Sequence, residues 1–211
     1  MSRKQWIVLA AALVILPLSV SAQVAPANDV GVFVTSSSYD HEFDFDGIEF
    51  EEKAGYGVSY NRFWSDNVST EFAAQKLAAD IRYEPFLEPE SYDLGEMDLT
   101  VISATAQWHF LRGGRVSPYA GVGLAYIQGE VETYAIETEP GEEPIEAGKF
   151  DLESETTILV NGGVDFNVTP SLAISLDLKY IAYDPKGEGE LDNERVDLNP
   201  FVAAAGLKFR F

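Results

Sequence analysis

The sequence has no cysteine, only two histidines and two methionines, and just 14 basic residues against 35 acidic ones. Without cysteine there is no disulfide framework, thiolate metal site or cysteine nucleophile. With His41 and His109 as the sole imidazoles, one chain cannot build a multi-histidine metal centre. A formal charge of −21 repels phosphate and argues against nucleic acid as a partner. After residue 23 no apolar run approaches the roughly 20 residues of a spanning helix. The length, 211 residues, suits one domain, and 12% aromatic content argues against disorder.

The beginning of the chain reads differently from the rest. Arg3 and Lys4 precede an apolar run from Trp6 to Val20, and small residues follow at Ser21 and Ala22. A charged start, a short apolar stretch and a small-residue end form a secretory signal. We expect cleavage after Ala22, leaving residues 23–211 as one domain that acts outside the cytoplasm.

That remainder alternates with period two. In 201–211, Phe201, Ala203, Ala205, Leu207, Phe209 and Phe211 share one face, while Lys208 and Arg210 share the other. A strand with one apolar and one polar side requires this arrangement. The same pattern runs through 101–110, 158–168 and 172–183, and more weakly through 30–36, 54–64, 68–83 and 118–127. These are eight strands. Short turns at 65–67, 112–115 and 169–170 alternate with long acidic connections at 40–53, 84–98, 128–155 and 184–197. An eight-stranded antiparallel up-and-down transmembrane β-barrel has this layout, with short periplasmic turns and long extracellular loops. A soluble sandwich also alternates, but it does not sort its loops by length so regularly. Trp64, Trp108, Tyr180, Phe201, Phe209 and Phe211 fall near strand ends on the outward face, where interfacial girdles belong.

Four stretches, 56–74, 104–126, 162–183 and 196–211, together resemble the OmpW family of small outer-membrane barrels. The resemblance is carried by Ala106-Gln107-Trp108-His109-Phe110, by Pro118-Tyr119 followed by Gly121 and Gly123, by Gly163-Val164-Asp165-Phe166, and by Asn199-Pro200-Phe201-Val202 with the Arg210-Phe211 ending. It implies a Gram-negative outer-membrane location with lipid and lipopolysaccharide as surroundings, and passive uptake of small hydrophobic molecules. It also implies that Phe209 and Phe211 form the C-terminal signal read by the barrel-assembly machinery. Lys76 stands where the family carries a proline thought to loosen the wall for sideways exit. Phe72 and Ala74 share the outer face, yet Leu77, Ala79 and Ile81 are expected to take it over. A bulge near Gln75-Lys76 would produce that slip. A lateral outlet at Gln75, Lys76 and Leu77 therefore rests on the bulge alone.

The inward positions divide by height. Glu71, Asp165, Asp177, Lys179, Lys208 and Arg210, with Asn61, Gln107, His109 and Asn167, are expected to form a polar plug at the periplasmic end. Above it, Gly57, Ala73, Gly121, Gly123, Ala125, Leu159, Ile181 and Ala204 are small or apolar, which predicts a narrow unfilled apolar lumen open to the outside. An aqueous pore would keep charge along its length. The alternative is a structural or surface-interaction barrel, engaged in adhesion or in cation and lipopolysaccharide binding, whose small residues serve packing alone. Residues 41–51 read as a hairpin turning at Asp46-Gly47, with Phe45 opposite Ile48 and Phe43 opposite Phe50. Asp44, Glu49 and the glutamates of 130–146 would either attract weakly held divalent cations or simply keep the loops soluble. No cofactor or catalytic set is expected, since neither histidine sits in a motif.

Overall fold

The computed structural model describes residues 27–39, 48–83, 92–112, 114–135, 147–184 and 198–211. The signal at 1–22, the Asp46-Gly47 turn with Phe43 and Phe45, and the glutamates beyond Glu132 in the third loop lie outside these residues. Nine strands are present: β1 (Asn28–Ser38), β2 (Ile48–Glu52), β3 (Ala54–Phe63), β4 (Val68–Tyr83), β5 (Tyr92–His109), β6 (Val116–Thr133), β7 (Gly148–Thr169), β8 (Leu172–Ile181) and β9 (Phe201–Arg210). Every pairing is antiparallel. β1 pairs with β3, β2 and β3 both pair with β4, each later strand pairs with the next, and β1 pairs with β9, so the sheet closes into a ring.

β2 and β3 form one stave. Glu52 pairs with Ala79 of β4 and Tyr56 with Lys76, so the register changes by one residue across Lys53. Lys53 N donates to Ala78 O at 3.3 Å, which keeps the chain in the sheet through the irregularity. An extra residue opposite a continuous partner is a β-bulge. Counted by stave, the ring has eight.

The wall is inverted relative to a soluble protein. Its outward positions are apolar and open: Val34 is 62% exposed, Trp64 68% and Leu176 46%. Apolar surface of this extent demands hydrocarbon rather than water. Tyr56, Tyr126, Tyr180 and Phe201 edge the belt on one side; Trp64, Trp108, Phe209 and Phe211 edge it on the other. Above the first group the outward positions turn polar, as in Thr100, Asp98 and Glu96 on β5 and Gln128, Glu130 and Glu132 on β6. The wall leaves lipid at that level.

Three strands run further than the sequence suggested. β5 begins at Tyr92, β6 ends at Thr133 and β7 begins at Gly148. Segments expected as loops are thus largely ladder. Their charged outward residues hid the strand pattern, but their inward residues stay apolar, and Met97, Leu99 and Val131 are buried. Ion pairs tie the outward face: Lys53 Nζ lies 2.6 Å from Asp80 and 2.7 Å from Glu96, and Lys149 lies 2.6 Å from Glu130. The rim is consequently uneven. The β4–β5 ladder reaches Tyr83 and Tyr92 and the β6–β7 ladder reaches Thr133 and Gly148, whereas β7–β8 stops at Leu159 and Ile181 and β8–β9 at Tyr180 and Phe201.

The predicted slip in β4 is absent. Ser69, Glu71, Ala73, Gln75, Leu77 and Ala79 all point inward, and Leu77 and Ala79 are fully buried rather than facing lipid. The pairing with β5 is unbroken through Gln75–Val101, Lys76–Thr100 and Leu77–Leu99; the register shifts only between Ile81 and Arg82. The apolar pairs at 73–74 and 78–79 make either parity plausible in the sequence. Lys76 sits outward at the edge of the lipid belt, 3.5 Å from Asp98, so its charge needs no bulge to reach water.

Candidate functional site

The lumen is built from the inward residues of all eight staves, and it has two tiers. The lower is a charged network. Asp165 on β7 is fully buried; its Oδ1 accepts from Lys208 Nζ at 3.1 Å and its Oδ2 from Arg210 Nη2 at 2.8 Å. Arg210 Nε lies 3.4 Å from Asp29, and Lys208 Nζ lies 4.0 Å from Glu71. A second centre forms on Asp177: Lys179 sits 2.6 Å from Oδ1, while Tyr119 Oη at 2.7 Å and Asn161 Nδ2 at 3.0 Å donate to Oδ2. Lys208 Nζ joins the centres, standing 4.7 Å from the middle of the Tyr119 ring. Buried charges persist only when paired and hydrogen-bonded, and both carboxylates meet that condition.

Towards the turns the network becomes aromatic. The His109 ring lies between Phe63 at 4.8 Å and Tyr119 at 5.2 Å, with Ser69 Oγ 3.0 Å from its Nε2. Arg112 follows β5 and lays its guanidinium over Phe63 at 3.7 Å. The periplasmic end is filled by this stack.

All six expected plug residues, Glu71, Asp165, Asp177, Lys179, Lys208 and Arg210, lie in this lower tier. Sequence reading missed Asp29 and Tyr119. Both were legible in principle: Asp29 is one inward step before Gly31, and Tyr119 shares the parity of Gly121 and Gly123.

Among the described residues, the buried cluster of the upper tier contains no charged side chain. Leu77, Met97, Leu99, Val101, Ala125, Ile127, Leu159, Ile181 and Val202 form one buried cluster. Tyr39, Tyr183 and Leu198 cover it from above, and Tyr39 packs on Phe50 at 5.7 Å between ring centres. Leu198 N and Asn199 N both donate to Tyr183 O at 3.1 Å. Tyr183 N in turn donates to Asn199 Oδ1 at 3.0 Å, and Asn199 adopts φ 30°, a region asparagine tolerates.

Of the expected lumen residues, Ala125, Leu159 and Ile181 belong to this cluster, and Ala73 and Ala204 are buried near its base. The small residues do not leave it open. A Cβ on Gly57 would collide with the Phe33 ring, one on Gly121 would meet Asn161 Oδ1 at 2.5 Å, and one on Gly123 would meet the Ala104 carbonyl. The glycine room is taken by neighbours, so the unfilled apolar cavity is replaced by a packed apolar layer. A small cavity of mixed lining lies between the tiers, bounded by Phe33, Ala204 and Gly206 as well as by Glu71, Asp177 and Lys208. Its free volume is about 20 Å³, enough for roughly one water molecule.

The residues expected as an outlet are placed separately. Gln75 and Leu77 point into the lumen and Lys76 points out. Phe209 and Phe211 stack at 6.2 Å on the lipid face. Among the described residues no group of three or more acidic or histidine side chains could hold a metal ion.

The model of the OmpW family matches residues 15–211. No curated protein matches. Among solved structures, the outer membrane protein OprG from Pseudomonas aeruginosa superposes with a TM-score of 0.60 at 16% identity, over 88% of this chain and 97% of that one. AlkL, an outer membrane protein solved in lipid bilayers, gives 0.58 at 17% identity, over 93% and 95%. Neisserial surface protein A gives 0.55 at 15% identity, over 90% and 100%. At these identities the structures speak for the fold alone. With a family match spanning nearly the whole chain and a ring whose apolar side faces out, the protein belongs to the OmpW family and is a β-barrel of the Gram-negative outer membrane.

Proposed function

We propose that this barrel mediates passive uptake of small hydrophobic molecules. The observation that carries the reading is the division of the lumen. An apolar upper tier faces the outside, and an ion-paired lower tier closes the periplasmic end. A hydrophobic molecule is solvated by the first and rejected by the second. It cannot pass straight through without breaking buried ion pairs, each break costing about 3–5 kcal/mol.

Exit is therefore sideways. At the seam Gln75 and Lys76 are paired on both sides, and Leu77 is paired with Leu99 and buried, which makes it a poor outlet. The low side of the rim is the better one. Leu159, Ile181 and Val202 belong to the apolar cluster, and the β7–β8 ladder ends at Leu159 and Ile181 beside the lipid-facing Tyr180 and Phe201. A guest that displaces Tyr183 from the top of the cluster reaches the bilayer there without breaking the ion pairs of the lower tier. Met97 is well suited to yield, being unbranched and adaptable. Transfer runs down a gradient, so no energy source is required. Phe209 and Phe211 would serve the assembly machinery rather than the cargo.

The test is uptake of n-octane by cells with and without the protein, under conditions where outer-membrane entry is limiting. A faster rate with the protein is expected, and equal rates would overturn the reading. A second reading, attachment to external surfaces, is favoured by the tall charged wall of β4 to β7. It gains if octane entry is unchanged while surface adhesion falls on deletion.

A further inference from the structure

One side chain in the upper lumen is out of place. Gln75 on β4 is only 4% exposed, and both its Nε2 and its Oε1 lack a hydrogen-bond partner. Its inward successor on the strand is Leu77, its β5 partner is Val101, and both are fully buried members of the apolar cluster. Its β3 partner is Gly57, which offers no side chain. The Phe33 ring of β1 leans over that glycine, and a second orphan lies beyond it. Thr35 of β1 pairs with Gly55, its hydroxyl leans over the glycine, and its Oγ1 is buried without a partner. Three unmet polar atoms thus flank a glycine strip at the base of an apolar chamber.

Leaving a buried amide unpaired is costly, and an apolar residue of the same shape would be better tolerated. The carboxamides of the lower tier offer a contrast. Asn61, Gln107 and Asn161 each leave one atom unpaired but make a side-chain hydrogen bond with the other. Gln75 makes none.

Resting on the uptake reading, we propose that Gln75, with Thr35, is the head-group site of the upper lumen. Its cargo is then amphiphilic: a medium-chain compound with one uncharged head that both donates and accepts, such as a primary alcohol or primary amide. The amide N–H donates to the head-group oxygen, the head-group O–H or N–H donates to Oε1, and the chain lies along Leu77, Val101 and Leu159. A charged head is disfavoured, because no ionised side chain of the upper cluster would compensate it. A pure alkane fits the cluster but leaves the three atoms unmet.

The experiment compares 1-octanol with n-octane in the full-length protein and in Gln75→Leu. Wild-type protein should speed entry of both, and Q75L should slow octanol roughly five- to tenfold while leaving octane unchanged or faster. Equal slowing of both, or no effect on octanol, overturns the head-group site. Failure of wild-type protein to speed either compound sinks the uptake reading instead, and the site is then judged by binding. In lipid nanodiscs the Gln75 side-chain amide resonance, identified by its loss in Q75L, should move with 1-octanol and not with n-octane. A resonance that ignores octanol, as it would if water alone served this amide, overturns the proposal on its own.

Discussion

The two ends of the lumen solve one packing problem in opposite ways. Both fill the narrow interior of an eight-stave ring, where inward side chains just meet. The lower end fills it with charge, anchored on Asp165 and Asp177, and every strong contact there is directional. The upper end fills it with Leu77, Leu99, Ile127, Leu159 and Ile181, whose contacts are not. A directional network is rigid because moving one member orphans the others. An apolar layer exchanges one neighbour for another at little cost, and an apolar guest is one more neighbour. The same barrel therefore carries an ion-paired layer and, above it, a packed apolar one.

The contrast breaks most severely at Asp165. Asp165→Ala leaves Lys208 and Arg210 without their shared carboxylate and should cost about 3–5 kcal/mol, measured by urea unfolding in lipid vesicles. A loss below about 1 kcal/mol would mean that the lower tier is not held by its charges. The matching change above is Leu159→Ala. It should destabilise by about 2 kcal/mol through the cavity it opens, yet quicken octane entry. If entry slows in proportion to the lost stability, the layer is a second stopper and the comparison fails.

The smallest effect lies outside both tiers, on the charged wall. The hydrogen bond from Lys53 holds the Glu96 carboxyl below its ordinary value of 4.5. A lowered value means that the stabilisation is present above the ordinary carboxylate range and fades as pH falls through the lowered one. The melting-temperature gap between the native protein and Glu96→Gln should be slight at about pH 6, given how exposed the pair is, and close as acidification protonates the carboxyl. A gap that widens on acidification would show that the wall is held by something other than these ion pairs.

The staves were legible because a wall with lipid on one side and its own lumen on the other writes its two environments on alternate residues. The plug was legible for a related reason: an ionisable residue on an inward position of a narrow ring has nowhere to go but another charge. Two things were not legible. Parity fails where both faces are apolar, so Leu77, Ala79 and Ile81 were assigned to lipid on their own alternation, whereas Leu77 and Ala79 are buried in the lumen and the outward Lys76 marks the membrane edge. Side-chain volume is also a poor guide to free space. Gly57 promised a void, but its occupant is Phe33, its direct partner on the neighbouring stave β1, and nothing in the local sequence says which way that ring leans.

The β1–β9 seam joins the first strand to the last, and Asn28 and Phe211 exchange backbone hydrogen bonds at 3.1 and 3.0 Å. Every intermediate with fewer staves has two raw edges of amide and carbonyl, which hydrocarbon punishes heavily. Partial barrels are therefore not resting places in a bilayer. The polypeptide commits to the membrane as an entire hoop, and a lesion anywhere along it puts at risk the insertion of the rest.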